Sequence, residues 1–171
     1  MDLSKEEIFP RSYIRVLNFL SFKKRSLKEI LGFVKKTVQQ THLPLREKKE
    51  IEDRIILILK KDGYIKEFHD FDFATSYIDG LKKSSKAFNK IKIREFLKRK
   101  GVDANIIDDV IENVSDDQIY SSVLKDAEKK LRTLKDDNIN VRRKKLLTYL
   151  YRKGYPFEIS SSAVDTLIKL K

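Results

Sequence analysis

The chain of 171 residues has no cysteine, no tryptophan, only five glycines and only three prolines. Without cysteine it has no disulfide framework, no thiolate zinc site and no cysteine nucleophile. Its longest unbroken aliphatic run, Ile55 to Leu59, is far shorter than the roughly 20 residues that a membrane-spanning helix needs. The N-terminus, Met1 to Glu7, lacks the apolar segment typical of a secretory signal. We therefore expect a cytoplasmic protein with no membrane partner.

Charge is strongly unbalanced, because 38 Lys and Arg face 26 Asp and Glu, a formal net charge of +12. This excess favours a polyanionic partner, most simply nucleic acid; a basic but solvated surface is the alternative. The stretch 82–100 holds nine basic side chains and one acid, Glu95, which makes it net +8. A second cluster runs from Arg142 to Lys145 and is followed by Arg152 and Lys153. Like charges repel unless an anion is bound, so these clusters are candidate contact sites.

The scarcity of glycine and proline leaves few helix breakers, and most apolar residues recur at helical spacing. Ser26 and Glu29 form a capping box ahead of an apolar stripe that runs from Leu27 to Val38. Ser115 and Gln118 form a second capping box. No segment combines sustained strict alternation with hairpin turns. The sequence predicts an all-α protein of about nine or ten short helices.

An internal repeat is visible, because Lys98-Arg99-Lys100-Gly101 matches Tyr151-Arg152-Lys153-Gly154 at an offset of 53 residues. Each motif follows a short basic helix and precedes an apolar one. The first third fits more loosely, with helices near 11–22, 27–38 and 46–61 and a longer loop at Gln39–Pro44.

The repeat predicts tandem three-helix units. A unit of about 50 residues has a marginal core, so we expect neighbouring units to pack into an elongated, curved solenoid of helix-turn-helix-like repeats. The predicted organisation is a lead-in at 1–10 followed by units at 11–68, 69–114 and 115–171.

Two segments of the second unit, Phe73–Ile78 and Ile93–Val102, resemble the central signature of the RecX family. The resemblance extends from about residue 11 to the end of the chain. Two features depart from the family pattern, the long first-unit loop and Ile30 where the family more often has leucine. The other segments that carry the resemblance are Tyr13–Leu20, Arg25–Ile30, Asp62–Ile65, Ala127–Leu131 and Lys144–Phe157.

The resemblance implies a regulator of the RecA recombinase, active in DNA repair, homologous recombination and the SOS response. Family members are three-repeat helical proteins that bind in the groove of the RecA–single-stranded DNA filament and restrain its ATPase and strand exchange. They are not enzymes, and we expect neither a cofactor nor a stable oligomer. RecA as a partner follows from the resemblance alone, not from composition or spacing.

The basic clusters predict the contact surface. Each Lys or Arg that neutralises a phosphate releases counterions, so binding should weaken with salt. Because 27 of the 38 basic residues are lysine, we expect backbone contacts with little sequence preference, to single-stranded and also to duplex DNA. The candidate contact residues are Lys82, Lys83, Lys86, Lys90, Arg94, Lys98, Arg99, Arg142, Arg143, Lys145, Arg152 and Lys153.

Aromatic side chains are a weaker signal. Tyr120, Tyr149, Tyr151 and Tyr155 are candidates for stacking on bases, but packing in the core is the default expectation for all seven tyrosines.

Catalysis has little support in the sequence. Only two histidines exist, His42 and His69, each expected in a surface loop, and there is no zinc-protease motif or Gly-rich phosphate loop. The acid pairs at 108–109, 116–117 and 136–137 are better explained by helix caps and turns than by a metal-dependent nuclease. Two alternatives stay open: a basic helix-turn-helix-like transcription regulator, which would recognise one duplex site as a symmetric dimer, and a protein adaptor.

Overall fold

The computed structural model describes residues 4–83, 89–135 and 138–169. Within these ranges the chain contains nine α-helices and no β-strand, which confirms the predicted all-α helical-repeat fold. Among the described helices, none has the length and apolar character required to cross a membrane. The helices are α1 Lys5–Ser21, α2 Leu27–Gln39, α3 Leu45–Lys61, α4 His69–Lys83, α5 Lys90–Arg99, α6 Ala104–Glu112, α7 Asp116–Leu131, α8 Ile139–Arg152 and α9 Phe157–Lys169.

The chain divides into two compact units. The first unit comprises the residues up to Ala74 together with Arg99–Asp103, and the second comprises Thr75–Lys98 together with the residues from Ala104 onward. The boundaries of the three repeats stay a prediction.

The core of the first unit lies among α1, α2 and α3, where Val16, Val34 and Leu59 have no exposed surface. The predicted capping box of α2 is confirmed: the Ser26 N–H donates to Glu29 Oε2 at 3.2 Å, and the Glu29 N–H donates to Ser26 Oγ at 3.3 Å. Helix α1, however, begins at Lys5, six residues before the start predicted from spacing.

The core of the second unit includes Val123, Leu146 and Val164, which lie on α7, α8 and α9 and are fully buried. Ser115 is the N-cap residue of α7, as predicted, but the predicted capping box is wrong because its side chain makes no cap hydrogen bond. Its carbonyl oxygen instead accepts from the N–H of Gln118 at 3.2 Å. The position of Ser115 at the start of α7 was therefore predictable, but its hydrogen bonding was not.

The repeated Lys-Gly motif corresponds to a repeated turn. Gly101 and Gly154 follow α5 and α8 with φ of +79° and +84°, the left-handed region that glycine adopts most readily. The carbonyl before each glycine accepts a hydrogen bond of 2.6 Å from the side chain of a helix N-cap residue: Ser26 Oγ donates to Lys100, and Asn89 Nδ2 donates to Lys153.

The side chain two positions after each N-cap residue lies against the glycine. A Cβ on Gly154 would lie 2.9 Å from Ile91 Cδ1, and one on Gly101 would lie 2.8 Å from Lys28 Cβ. The 53-residue repeat in the sequence is therefore matched by the same tertiary contact made twice.

Candidate nucleic-acid interface

Eleven of the twelve predicted contact residues can be placed, and Lys86 lies outside the described residues. Arg99 belongs to the first compact unit, whereas the other ten belong to the second. Four of the eleven are half-buried: Lys90, Arg142, Arg143 and Lys153. The exposed ones are Lys82, Lys83, Arg94, Lys98, Arg99, Lys145 and Arg152.

Helix α5 buries Ile93 and Leu97, four residues apart, and exposes all of its basic side chains except the half-buried Lys90. Arg94 Nη1 lies 2.5 Å from Asp108 Oδ1, with both side chains about half exposed. An exposed pair of this kind contributes roughly 0–1 kcal/mol, so a phosphate can replace the carboxylate. Lys98 forms no ion pair with any residue in the described ranges and is available for an anion.

Arg143 has a partner that the sequence pattern did not reveal. Its Nε and Nη2 donate to the two carboxylate oxygens of Asp165 at 2.7 and 3.1 Å, and Nη2 also donates to Ser161 Oγ at 3.0 Å. Hydrogen bonding to this carboxylate raises the pKa of Arg143, and the guanidinium in turn lowers the pKa of Asp165. The guanidinium therefore joins α8 to α9, and a phosphate contact would have to displace Asp165.

Lys153 is likewise an internal counter-charge. Its Nζ lies 2.9 Å from Asp126 Oδ2 and 4.8 Å from the centre of the Tyr149 ring. The Tyr155 hydroxyl donates to the same Oδ2 at 2.7 Å. Burial raises the pKa of Asp126, but the hydrogen bonds from Lys153 and Tyr155 outweigh it and hold this pKa below its ordinary value. Burial and Asp126 together raise the pKa of Tyr155, which stays protonated.

Two predicted contact residues that are 62 positions apart, Lys90 and Arg152, line one open groove of about 660 Å³. Its lining also includes the exposed side chains of Ile91, Tyr151 and Phe157. We call the surface formed by these five residues the aromatic groove. Among the described residues that line it, none is acidic.

The structure shows which tyrosines pack in the core and which are exposed. The expectation of packing is confirmed for Tyr155, which is buried, and is wrong for Tyr151, which is 76% exposed. Phe157 was missed by the sequence reasoning, although its position directly after Pro156 at the start of a helix was a usable signal for exposure.

A second surface was also missed. In the first unit, a cavity of about 190 Å³ is lined by basic side chains that include Lys23, Arg25 and Lys66. His69, expected in a surface loop, is instead the half-buried first residue of α4, and its Nε2 lies 2.9 Å from the carbonyl oxygen of Arg25.

Comparison with known proteins gives matches along almost the whole chain. Residues 116–164 match the family model for the third three-helix domain of RecX. The chain is 27% identical over 157 residues to regulatory protein RecX of Bacillus subtilis strain 168, covering 92% of this chain and 55% of that protein. It is 29% identical over 157 residues to regulatory protein RecX of Bacillus licheniformis, covering 91% and 54%. The chain thus spans about half the length of these curated relatives.

Two crystal structures share the fold. A regulatory protein RecX aligns with a TM-score of 0.70 at 23% identity, over 94% of this chain and 73% of that one. RecX from Lactobacillus salivarius aligns with a TM-score of 0.71 at 22% identity, over 97% and 99%. The family model and the curated relatives show that the chain is similar to RecX proteins, and the two crystal structures show that it shares their fold.

Proposed function

We propose that this protein is a non-enzymatic regulator of the RecA recombinase in DNA repair and recombination. It binds in the groove of the RecA–single-stranded DNA filament and restrains ATP hydrolysis and strand exchange. The observation that carries the proposal is the match, over more than nine-tenths of this chain, to relatives named regulatory protein RecX.

The charge distribution supports a filament as the target. Exposed cations on the second unit neutralise phosphates without losing an internal partner, so each contact releases counterions and makes binding salt-dependent. Lys83, Lys98 and Arg152 meet this condition, since they are exposed and have no ion pair with any residue that the structure describes. Arg143 and Lys153 do not meet it, because each is bound to a carboxylate. We therefore place the main contacts on the first three.

The deciding measurement is the ATPase rate of RecA on single-stranded DNA, with this protein titrated in. We expect inhibition at less than one protein per RecA protomer. Tight binding to one duplex sequence without any effect on RecA would instead favour a helix-turn-helix-like transcription regulator. Cytoplasmic location and a monomeric state are parts of the same proposal and stay predictions.

Charge reversal localises the contact. The triple variant Lys83→Glu, Lys98→Glu and Arg152→Glu should abolish inhibition at an unchanged melting temperature. The matched control reverses three exposed lysines of the first unit, Lys36, Lys60 and Lys61, with the same change in net charge. Full inhibition by the first variant, or equal loss in the control, would show that these three residues are not the contact site.

A further inference from the structure

We propose that the aromatic groove is a subsite for one unstacked base of a nucleic-acid single strand, with the flanking phosphates at Lys90 and Arg152. The inference deepens the proposed function and rests on it for the identity of the strand, which there is DNA. It assigns the groove to the strand rather than to the protein part of the filament.

The walls of the groove are apolar and exposed, and two of them are aromatic rings. Tyr151 is 76% exposed, Phe157 66% and Ile91 51%. Tyr151 and Phe157 are also the two exposed aromatic side chains of the second unit, within the ranges that the structure describes, and both line this one surface. Aromatic rings left in water at one place provide a stacking platform for any base, because every base has a π face.

The charge of the groove selects an anion. Lys90 and Arg152 are its charged lining residues, and neither forms an ion pair with another described residue. Cations beside an aromatic platform are the combination used for single strands, in which the bases stack and the backbone follows the positive charge. A volume of about 660 Å³ lies within the range of small-molecule sites and is sufficient for a nucleotide.

The backbone of the groove argues against a peptide bound there as a β-strand. The Gly154 N–H donates to the Tyr151 carbonyl at 2.8 Å, and the Tyr155 N–H donates to the Leu150 carbonyl at 3.2 Å. Pro156 has no N–H. A peptide that adds to a surface as a β-strand depends on main-chain hydrogen bonds, and these three positions offer no free donor. A nucleotide strand requires only the ring faces and the cations.

The groove is also held in one shape. The start of α5 is tied to the turn after α8 by the 2.6 Å hydrogen bond from Asn89 Nδ2 to the Lys153 carbonyl. Directly beside it, Gly154 lies against Ile91 so closely that a Cβ would be 2.9 Å from Ile91 Cδ1. Because these contacts fix the backbone of the groove and Ile91, little backbone freedom is lost on binding, which favours affinity.

The test uses the full chain, without RecA, and a single-stranded oligonucleotide that carries 2-aminopurine, whose fluorescence falls when the base stacks. Tyr151→Leu and Phe157→Leu keep an apolar side chain but remove the ring. We expect each to weaken binding about 5- to 150-fold and to restore the fluorescence. The matched control is Phe22→Leu, which removes an 82% exposed ring from the first unit and should change neither.

Cation variants separate stacking from charge. Lys90→Gln and Arg152→Gln should each lower the slope of log affinity against log salt by about 0.7, the value expected for one phosphate of a single strand. The two ring variants should leave that slope unchanged. The subsite would be overturned if both ring variants kept the affinity and the fluorescence of the wild type. It would also be overturned if an acidic aromatic peptide displaced the strand from the wild-type protein but not from the ring variants.

The failures of the two proposals are distinguishable. If the base stacks in the wild type but not in the ring variants, and the protein has no effect on the RecA ATPase, the subsite is supported and the proposed function is refuted. If the wild type shows no base stacking, and Tyr151→Leu and Phe157→Leu still inhibit RecA, the proposed function is supported and the subsite is refuted.

Discussion

Replacing Gly101 with alanine tests how closely the turn after α5 is packed. At φ +79° the new side chain adopts a left-handed conformation, which costs about 1–2 kcal/mol for an L-residue. Its Cβ would also overlap Lys28 Cδ and lie 2.8 Å from Lys28 Cβ. The Cβ is fixed to the backbone of α2, so the overlap is not relieved by a rotation of the lysine side chain.

Gly63 provides the matched control, because it has φ +76° and nothing within 4 Å of an added Cβ. Alanine there meets only the backbone cost, offset by about 0.4–1 kcal/mol from the restricted unfolded chain, which leaves a net loss of about 1 kcal/mol. Overpacking adds about 1–3 kcal/mol. We therefore expect Gly101→Ala to lower the free energy of unfolding by about 2–4 kcal/mol.

The measurement is urea unfolding followed by circular dichroism for both variants and for a double variant that adds Lys28→Ala to Gly101→Ala. Loss of the lysine Cγ and Cδ should recover about 1 kcal/mol, whereas Lys28→Ala alone should have little effect because this side chain is exposed. Equal losses for Gly101→Ala and Gly63→Ala, or no recovery in the double variant, would refute the close contact.

Three further predictions concern the stability of the fold: two helix caps, the Tyr155 hydrogen bond and the Asp126 carboxylate. Ser26→Ala should cost about 2–4 kcal/mol in urea unfolding, because it removes the cap of α2 and the 2.6 Å donor to the part-buried Lys100 carbonyl. Ser115→Ala, which removes no cap hydrogen bond, should cost less than about 1 kcal/mol. Tyr155→Phe should cost about 1–3 kcal/mol, because a carboxylate loses its 2.7 Å donor, and a neutral result would contradict the bond. The lowered pKa of Asp126 stabilises the fold above the ordinary pKa of 3.8, and this contribution disappears as the pH falls through the lower folded value. As the pH falls through this range, the melting temperature of Asp126→Asn should decrease less steeply than that of the wild type. Parallel curves for the two proteins would contradict this prediction.

Helices were predictable wherever the signal is local. The cap at Ser26 and the apolar stripe behind it act within a few residues, so the sequence alone located α2. The start of α1 was wrong because the buried stripe of that helix includes the polar Ser12 between Ile8 and Val16, and because Pro10 lies within the helix. The cap at Ser115 shows the same limit, since hydrogen-bond geometry is not encoded by residue type alone.

Contact residues were less predictable than helices. The density of basic residues identified the clusters. Which of these cations form internal ion pairs, however, depends on acidic residues that are distant in sequence. Asp165 binds Arg143 from 22 residues away, and Asp126 binds Lys153 from 27. A pattern of charges contains no information on such pairs, because packing of the helices determines them.

By itself the sequence determined the helical class, the net charge and the repeated Lys-Gly motif, because these follow from composition and from spacing within one or two turns. Only the tertiary structure decided that Lys90 and Arg152 share a groove with Tyr151 and Phe157. The reason is physical: the groove exists because the start of one helix is bound to the turn after another, and that contact joins residues more than 60 positions apart.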